Sequence, residues 1–164
     1  MIPPPPFAVG TGYDVHPFAA GRRLVLGGVE IPSELGLLGH SDADVLLHAL
    51  CDALLGAAGL PDIGHFYPSG DPRWKDADSR NLLRDVAARL RELGWLVGNV
   101  DCVVIAEKPR VYPHVGLMKE RIGADLGIDG ARVGIKATTN EKMGFVGRGE
   151  GIAALATALL YRAS

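Results

Sequence analysis

Apolar positions along the chain fall into runs closed by glycine and proline, and the period inside each run predicts an element. Phe7-Ala8-Val9 and Leu24-Val25-Leu26 predict strands over 7–13 and 23–31, expected to pair as a hairpin. Ser41-Asp42-Ala43-Asp44 offers capping side chains and first-turn acids ahead of Val45-Leu46-Leu47-His48-Ala49-Leu50, so a helix starts there and stops at Gly56 and Gly59-Leu60-Pro61. Asp62 to Lys75, rich in Gly, Pro and Asp, reads as a loop; one of that length is usually functional or mobile, which makes it a candidate lid. From Ser79 to Leu93 the residues Leu82, Leu83, Val86, Ala87 and Leu90 share one helical face opposite Arg84, Asp85, Arg89, Arg91 and Glu92. Val100 to Ala106 predicts a strand covered on both faces, Val115 to Leu126 a third helix, Arg132 to Ala137 a strand, and Gly151 to Tyr161 a last helix rich in Ala and Leu. The alternation implies an α/β fold, α and β layered around a small sheet, with no internal repeat and no interior linker.

Composition narrows the function classes. The 164 residues, 48% of them hydrophobic, suit one domain large enough to bury a core without disulfides or a structural metal, so a bound metal would be functional. Seventeen Lys+Arg against 19 Asp+Glu give a net charge of −2 with no basic cluster, which argues against a nucleic-acid partner. Cys51 and Cys102 lie in apolar runs and read as core thiols of a reducing compartment. Met1 to Pro6 lacks the basic and apolar regions of a secretory signal, and no apolar stretch is long enough to span a membrane, so a soluble, cytoplasmic protein is expected. Pro3 to Pro6 favour an extended tail, leaving one domain over 7–164.

Three groups of residues carry candidate chemistry. Asp14 and His16, two apart in an extended segment, point to one side and make half of a metal site. His48, with Asp52 one turn later on the same helical face, is the candidate third ligand; the alternative is an ordinary core histidine. His40-Ser41 at a helix start suits an anion, although capping alone explains Ser41 and the acids at 42 and 44 would repel phosphate. Thr138-Thr139-Asn140-Glu141-Lys142, followed by Gly144-Phe145-Val146-Gly147-Arg148-Gly149-Glu150-Gly151, offers hydroxyls, amides and one Arg to a polyphosphate, and Glu141 to a magnesium ion; the alternative is a tight turn that glycine permits. Neither nucleotide-binding glycine fingerprint is complete, and a serine triad and a zinc Cys-x2-Cys pattern are absent.

Taken in order, Gly-Tyr-Asp14-Val-His16-Pro-Phe18, Gly39-His40-Ser41-Asp42-Ala-Asp44-Val with His48 following, Leu60-Pro61-Asp62-Ile63-Gly64, and Lys136 through Gly151 resemble the family of 2-C-methyl-D-erythritol 2,4-cyclodiphosphate synthases, from about Val9 to the C-terminus. The resemblance implies a small mixed sheet with helices on one face, assembled as a homotrimer around central sheets with active sites between subunits. It implies a phosphorus–oxygen lyase of non-mevalonate isoprenoid synthesis that converts 4-diphosphocytidyl-2-C-methyl-D-erythritol 2-phosphate to the 2,4-cyclodiphosphate and releases CMP. It implies zinc on Asp14, His16 and His48, and magnesium or manganese bridging the diphosphate beside Glu141. His40 and Thr139 match positions of transition-state stabilisation, and Ser41 one of phosphate binding, which reverses the discount above. The Asp62-Ile63-Gly64 turn and Phe66 to Asp71 match the loop on the erythritol part; Ala106 to Tyr112, with Lys108 and Pro109 between, match the cytidine pocket; Thr138 supports the CDP end, and Asn140 is a further substrate contact. Phe145, Arg148 and Glu150 match a trimer-axis cavity for an isoprenoid diphosphate. Ser69 departs from an acidic residue or proline, and Asn140 from a third threonine; both are small and polar, which implies tuned affinity. Two other readings stay open: a zinc phosphohydrolase, and a trimeric CDP or isoprenoid-diphosphate binder without turnover.

Overall fold

The computed structural model describes residues 5–163, so Met1 to Pro4, and with them half of the proline run, lie outside the described residues. Seven strands form in chain order: β1 (Phe7–Ala20), β2 (Leu24–Leu26), β3 (Val29–Ile31), β4 (Leu35–Leu37), β5 (Leu96–Ile105), β6 (Val133–Thr138) and β7 (Gly151–Tyr161). Five helices accompany them: α1 (Val45–Ala57), α2 (Ile63–Phe66), α3 (Ser79–Glu92), α4 (Val115–Leu126) and α5 (Gly144–Gly147). Strands β4-β1-β7-β5-β6 make one mixed sheet, in which only β5 and β6 run parallel. Helices α1, α3 and α4 cover one face, as the layered α/β reading expects.

Two sequence expectations are overturned. Residues 23–31 do not pair with the first strand: they turn on Gly27 and Gly28, both at positive φ as a two-residue hairpin requires, and make their own ribbon of β2 and β3. β1 instead pairs with β4 and β7. Nor is 151–161 a helix. It is the central strand β7, with Ile152, Ala154, Ala156, Ala158 and Leu160 turned into the core. Alanine favours helices in isolation, but a strand lying beneath a helix needs small side chains, and packing overrides propensity. The 62–75 segment also carries structure: α2 and a 3-10 turn at Pro72–Trp74 are capped by Asp62 and Asp71, and Tyr67 packs edge-on to Trp74 at 5.1 Å.

α1 is the centre of the core, and nearly all of its residues are buried. It lies so close to β1 that a Cβ on Gly12 would stand 1.9 Å from the Ala49 carbonyl oxygen, and one on Gly10 would stand 2.1 Å from that of Ala53. The helix start is held by Asp44, fully buried, whose carboxylate accepts from the main-chain N–H groups of Gly27, Gly28 and Leu47. Asp44, and not Ser41, is therefore the cap. Burial pushes its carboxyl up to about 7, helped by the charge of Asp42 and opposed by those three donors. Cys51 and Cys102 are buried and unpaired, and burial pushes both thiols up, away from reactivity. Among the described residues no helix is long and apolar enough to cross a membrane.

The sheet's other face exposes apolar side chains: Val9 is 61% exposed, Tyr13 52%, Val15 40% and Leu155 40%. The close contact of α1 with β1 yields a paired prediction. Gly12→Ala drives a methyl into helix backbone and is expected to destabilise by about 1–3 kcal/mol. Gly56→Ala, where a Cβ meets nothing within 4 Å, is expected to stabilise by about 0.5–1 kcal/mol. Urea denaturation of the two variants checks both signs.

Candidate functional site

Alternation along β1 turns Asp14 and His16 to the helix-covered side of the sheet, and the close seating of α1 brings His48 over them. His16 Nε2 lies 2.9 Å and His48 Nδ1 3.2 Å from Asp14 Oδ2, and the two nitrogens are 3.1 Å apart. Each ring is held from its far side. His16 Nδ1 donates to the Leu38 carbonyl at 2.7 Å, which leaves Nε2 bare toward the cluster. His48 Nε2 faces the hydroxyls of Ser79, at 3.0 Å, and Ser41, at 3.2 Å. Asp52 is not the partner of His48: it accepts from the Ile63 N–H and anchors α2.

These three atoms fit a cation. Tetrahedral zinc with ligands at about 2.0–2.1 Å sets them about 3.3 Å apart, close to the spacing found, and two imidazoles with one carboxylate are a common zinc set. Burial works to raise the Asp14 carboxyl, but hydrogen bonds and charge from His16 and His48 outweigh it and hold the group far below the usual range. Burial likewise opposes charge on His16, yet Asp14 raises its value above 6.5.

A cleft of 360 Å³ opens at this cluster, lined by Asp14, His16, His40, Ser41, His48, Ile63 and Gly64. Tyr67, Pro68, Ser69 and Gly70 of the loop expected at the erythritol part also line it, as do Trp74 and Leu82, which sequence reasoning missed; Leu82 reads as one of the apolar positions of its helix. His40 Nε2 donates to the Asp71 carbonyl at 3.2 Å, while the Asp71 carboxylate is clamped by Arg73. Asp62 caps α2, and Phe66 lies under the Arg89 guanidinium at 4.9 Å; neither lines the cleft.

The remaining expected residues gather elsewhere. Ala106 N–H donates to the Thr138 carbonyl, and Thr139 Oγ1 donates to Glu141 Oε1 at 3.1 Å. Glu107, within the stretch expected at the cytidine pocket, instead accepts from the Asn140 and Lys142 N–H groups and shapes the turn, in which Glu141 and Lys142 take positive φ. Lys108, Pro109 and Arg148 border a second cleft of 850 Å³ with Phe18 and Leu35. Tyr112 is 84% exposed, Phe145 is half-buried on α5, and Arg148 pairs with Glu150 at 2.6 Å in solvent. Register separates the two groups: Val15, Ala153, Ile105 and Thr138 stand side by side across four strands, which puts β6 about 14 Å from β1. Within one chain, Thr138 to Glu141 do not line the cleft of His48.

The cluster sets a pH dependence. The folded value of His16 lies above its ordinary 6.5, so the stability from its contact with Asp14 is complete below 6.5 and is lost as pH rises through the raised value. The folded value of Asp14 lies below its ordinary 3.8, so its part is present above 3.8 and is lost as pH falls through the lowered value. Chelator-treated protein is expected to gain most from the pair in mildly acidic solution between those ordinary values. Melting temperatures measured against pH should show that gain and lose it in Asp14→Asn; equal curves for the two proteins would contradict it.

Comparison with known proteins agrees with this geometry. The model of the YgbB family matches residues 7–161. The 2-C-methyl-D-erythritol 2,4-cyclodiphosphate synthase of Bordetella petrii is 60% identical over 97% of this chain and 98% of its own length. That of Symbiobacterium thermophilum is 62% identical over 93% of this chain and 97% of its own. Among solved structures, the CDP complex of IspF from Plasmodium falciparum superposes with a TM-score of 0.87 at 31% identity, covering 99% of this chain and 100% of that one. The bifunctional IspDF of Campylobacter jejuni gives 0.93 at 44% identity over 96% of this chain, which spans 43% of that longer protein. By sequence and by fold the chain belongs to the YgbB family, alongside these cyclodiphosphate synthases.

Proposed function

We infer that this chain is a 2-C-methyl-D-erythritol 2,4-cyclodiphosphate synthase, a lyase of isoprenoid precursor synthesis by the non-mevalonate route, acting in the cytoplasm. The observation that carries the reading is the Asp14, His16 and His48 cluster, at cation spacing, in a chain 60% identical to a relative of that name. In the reaction an oxygen of the substrate's 2-phosphate attacks the β-phosphorus, a new P–O bond closes the ring, and the bond to the CMP oxygen breaks with its electron pair leaving on CMP. No covalent enzyme intermediate is needed, so the protein's work is to fold a flexible polyanion and neutralise charge on the transferring group. When bound, zinc at the cluster and magnesium or manganese near Glu141 supply positive charge that polarises and orients the phosphates.

The chain's own groups serve that task. Ser41 borders the cleft as a hydroxyl donor to phosphate oxygens, and His40, aimed by the Asp71 carbonyl, borders it as the group that stabilises the transition state. Ile63 and Gly64 offer a wall for the erythritol part, steadied by Asp62 and Asp52, with Phe66 and Asp71 supporting the segment. Lys108 and Pro109, at the rim of the second cleft, take the cytidine side together with Ala106 and Tyr112, which the family resemblance assigns to it, and Thr138, Thr139, Asn140 and Glu141 take the diphosphate side. Thr139 contributes its hydroxyl to the transition state.

The site is completed by a second subunit of a homotrimer. The separation of about 14 Å between the two half-sites and the exposed apolar face of the sheet both support this. In the same assembly Phe145, Arg148 and Glu150 line an axial cavity suited to an isoprenoid diphosphate, and the free edge of the Arg148 guanidinium supports an anionic ligand there.

Phosphorus NMR of the protein with the CDP-linked substrate and both metals is expected to show the cyclic diphosphate and CMP. A linear phosphate product would favour a phosphohydrolase, and no turnover a binding protein. His48→Ala and Glu141→Gln should each lower turnover about 10²-fold or more. Co-expressed in equal amounts, the two variants should regain one site in each mixed trimer, about a quarter of all sites, because each defect sits in a different half-site. No recovery in the mixture would contradict the shared site.

A further inference from the structure

The N-terminus of α3 reaches the cation cluster through a chain of hydrogen bonds. Ser79, the first residue of α3 and wholly buried, stands between His48 and Asp42. Its hydroxyl donates to Asp42 Oδ1 at 2.5 Å, and its main-chain N–H donates to Asp42 Oδ2 at 3.0 Å. Asp42 Oδ1 also takes the Asp44 N–H, so one carboxylate ties the start of α3 to the start of α1.

The protons can be followed from Asp42 through Ser79 to the ring. A carboxylate only accepts, and a serine hydroxyl has one proton, which the short contact commits to Asp42. Ser79 Oγ therefore turns lone pairs alone toward His48 Nε2, 3.0 Å away, and Nε2 must carry the ring proton. A neutral imidazole has a single N–H, so Nδ1, facing Asp14 and His16, is bare. Ser41 Oγ, which accepts from the Ala43 N–H, stands farther from the same Nε2, at 3.2 Å, and its own proton can turn to the cleft, which leaves the closer Ser79 contact to set the ring.

We propose that Asp42 and Ser79 are positioning residues that set the tautomer and orientation of His48, committing its Nδ1 lone pair to the cation. The proposal rests on reading Asp14, His16 and His48 as a cation site. It also gives Asp42 a use: an acid that looks ill-placed for phosphate binding acts from behind the ligand, oriented away from the cluster by its two bonds to Ser79.

The test uses the full-length protein labelled with ¹⁵N-histidine, stripped of metal, at a pH that keeps both rings neutral. Long-range ¹H–¹⁵N correlation reads which His48 nitrogen is protonated, and competition with a chromophoric chelator reads zinc affinity. The unaltered protein is expected to show the Nε2–H form. Ser79→Ala keeps the main-chain bond to Asp42, and with it the helix start, but removes the relay, so it should show a mixture of tautomers and about 10–100-fold weaker zinc binding. Asp42→Asn can turn its amide N–H toward Ser79 Oγ, freeing the hydroxyl proton for Nε2, and should shift His48 toward the Nδ1–H form with a similar loss of affinity. Metal-free melting temperatures separate these effects from unfolding. Nδ1–H in the unaltered protein, or both variants keeping Nε2–H and full zinc affinity, would overturn the relay. An unaltered protein that takes up no zinc would overturn the cation reading instead, while the tautomer comparison, made without metal, still decides the relay.

Discussion

The backbone of α1 lies against that of β1 at Gly10 and Gly12, with no room for a side chain between them, and the rest of the site depends on that seating. A helix usually rides on a sheet with a layer of side chains between. Here the sheet supplies glycine in β1 and alanine in β7 beneath the helix, while Leu46, Leu50 and Leu54 from the helix fill the surrounding core. His48, whose side chain is too short to cross an ordinary helix–sheet gap, is thereby brought to 3.2 Å from Asp14. Burial on every side also leaves the helix no slack to rotate, since Asp44 pins its first turn to the Gly27-Gly28 hairpin.

The same sheet separates the two kinds of chemistry. Carboxylate and imidazole gather where β1 meets α1, under partial burial that strengthens their mutual attraction. Hydroxyls, main-chain amides and a solvated acid gather at the exposed end of β6, shaped from behind by Glu107. A polyanionic substrate needs both, one to hold charge rigidly and one to follow a flexible diphosphate, and the outer face of the sheet that carries them is apolar and exposed. Rigidity on one side comes from the outer hydrogen bonds of the two histidines, each ring being turned by an acceptor that lies outside the cluster.

Much of this was legible in the sequence where the signal is local. The amphipathic faces of α3 and α4 and the alternation that sets Asp14 beside His16 are written in consecutive residues, and the structure follows them. The 151–161 segment misled because the demand for small side chains comes from α1, a hundred residues away; the period of two in Leu155, Thr157 and Leu159 against Ala156, Ala158 and Leu160 was the available clue. Gly27-Gly28 lay within a run that reads as one strand, although a glycine pair between short apolar triplets is a hairpin signal. Asp52 was one helical turn from His48 and so looked like its partner, while the true neighbour, Ser79, is 31 residues on and carries no sequence mark. For His40, Thr139 and Glu141 the motif resemblance alone suggested roles, since spacing carries no mark of a ligand that is not part of the chain.

The account stands on Asp14, His16 and His48 acting as one cation site with both rings held from outside. Crystals of the protein grown with zinc, measured on either side of the zinc absorption edge, test it most directly. The account predicts an anomalous peak about 2.0–2.1 Å from His16 Nε2, His48 Nδ1 and an Asp14 oxygen, with the Leu38 and Ser79 bonds to the far ring nitrogens kept. Zinc absent from the three side chains, or bound through His48 Nε2 with the ring turned over, would contradict it.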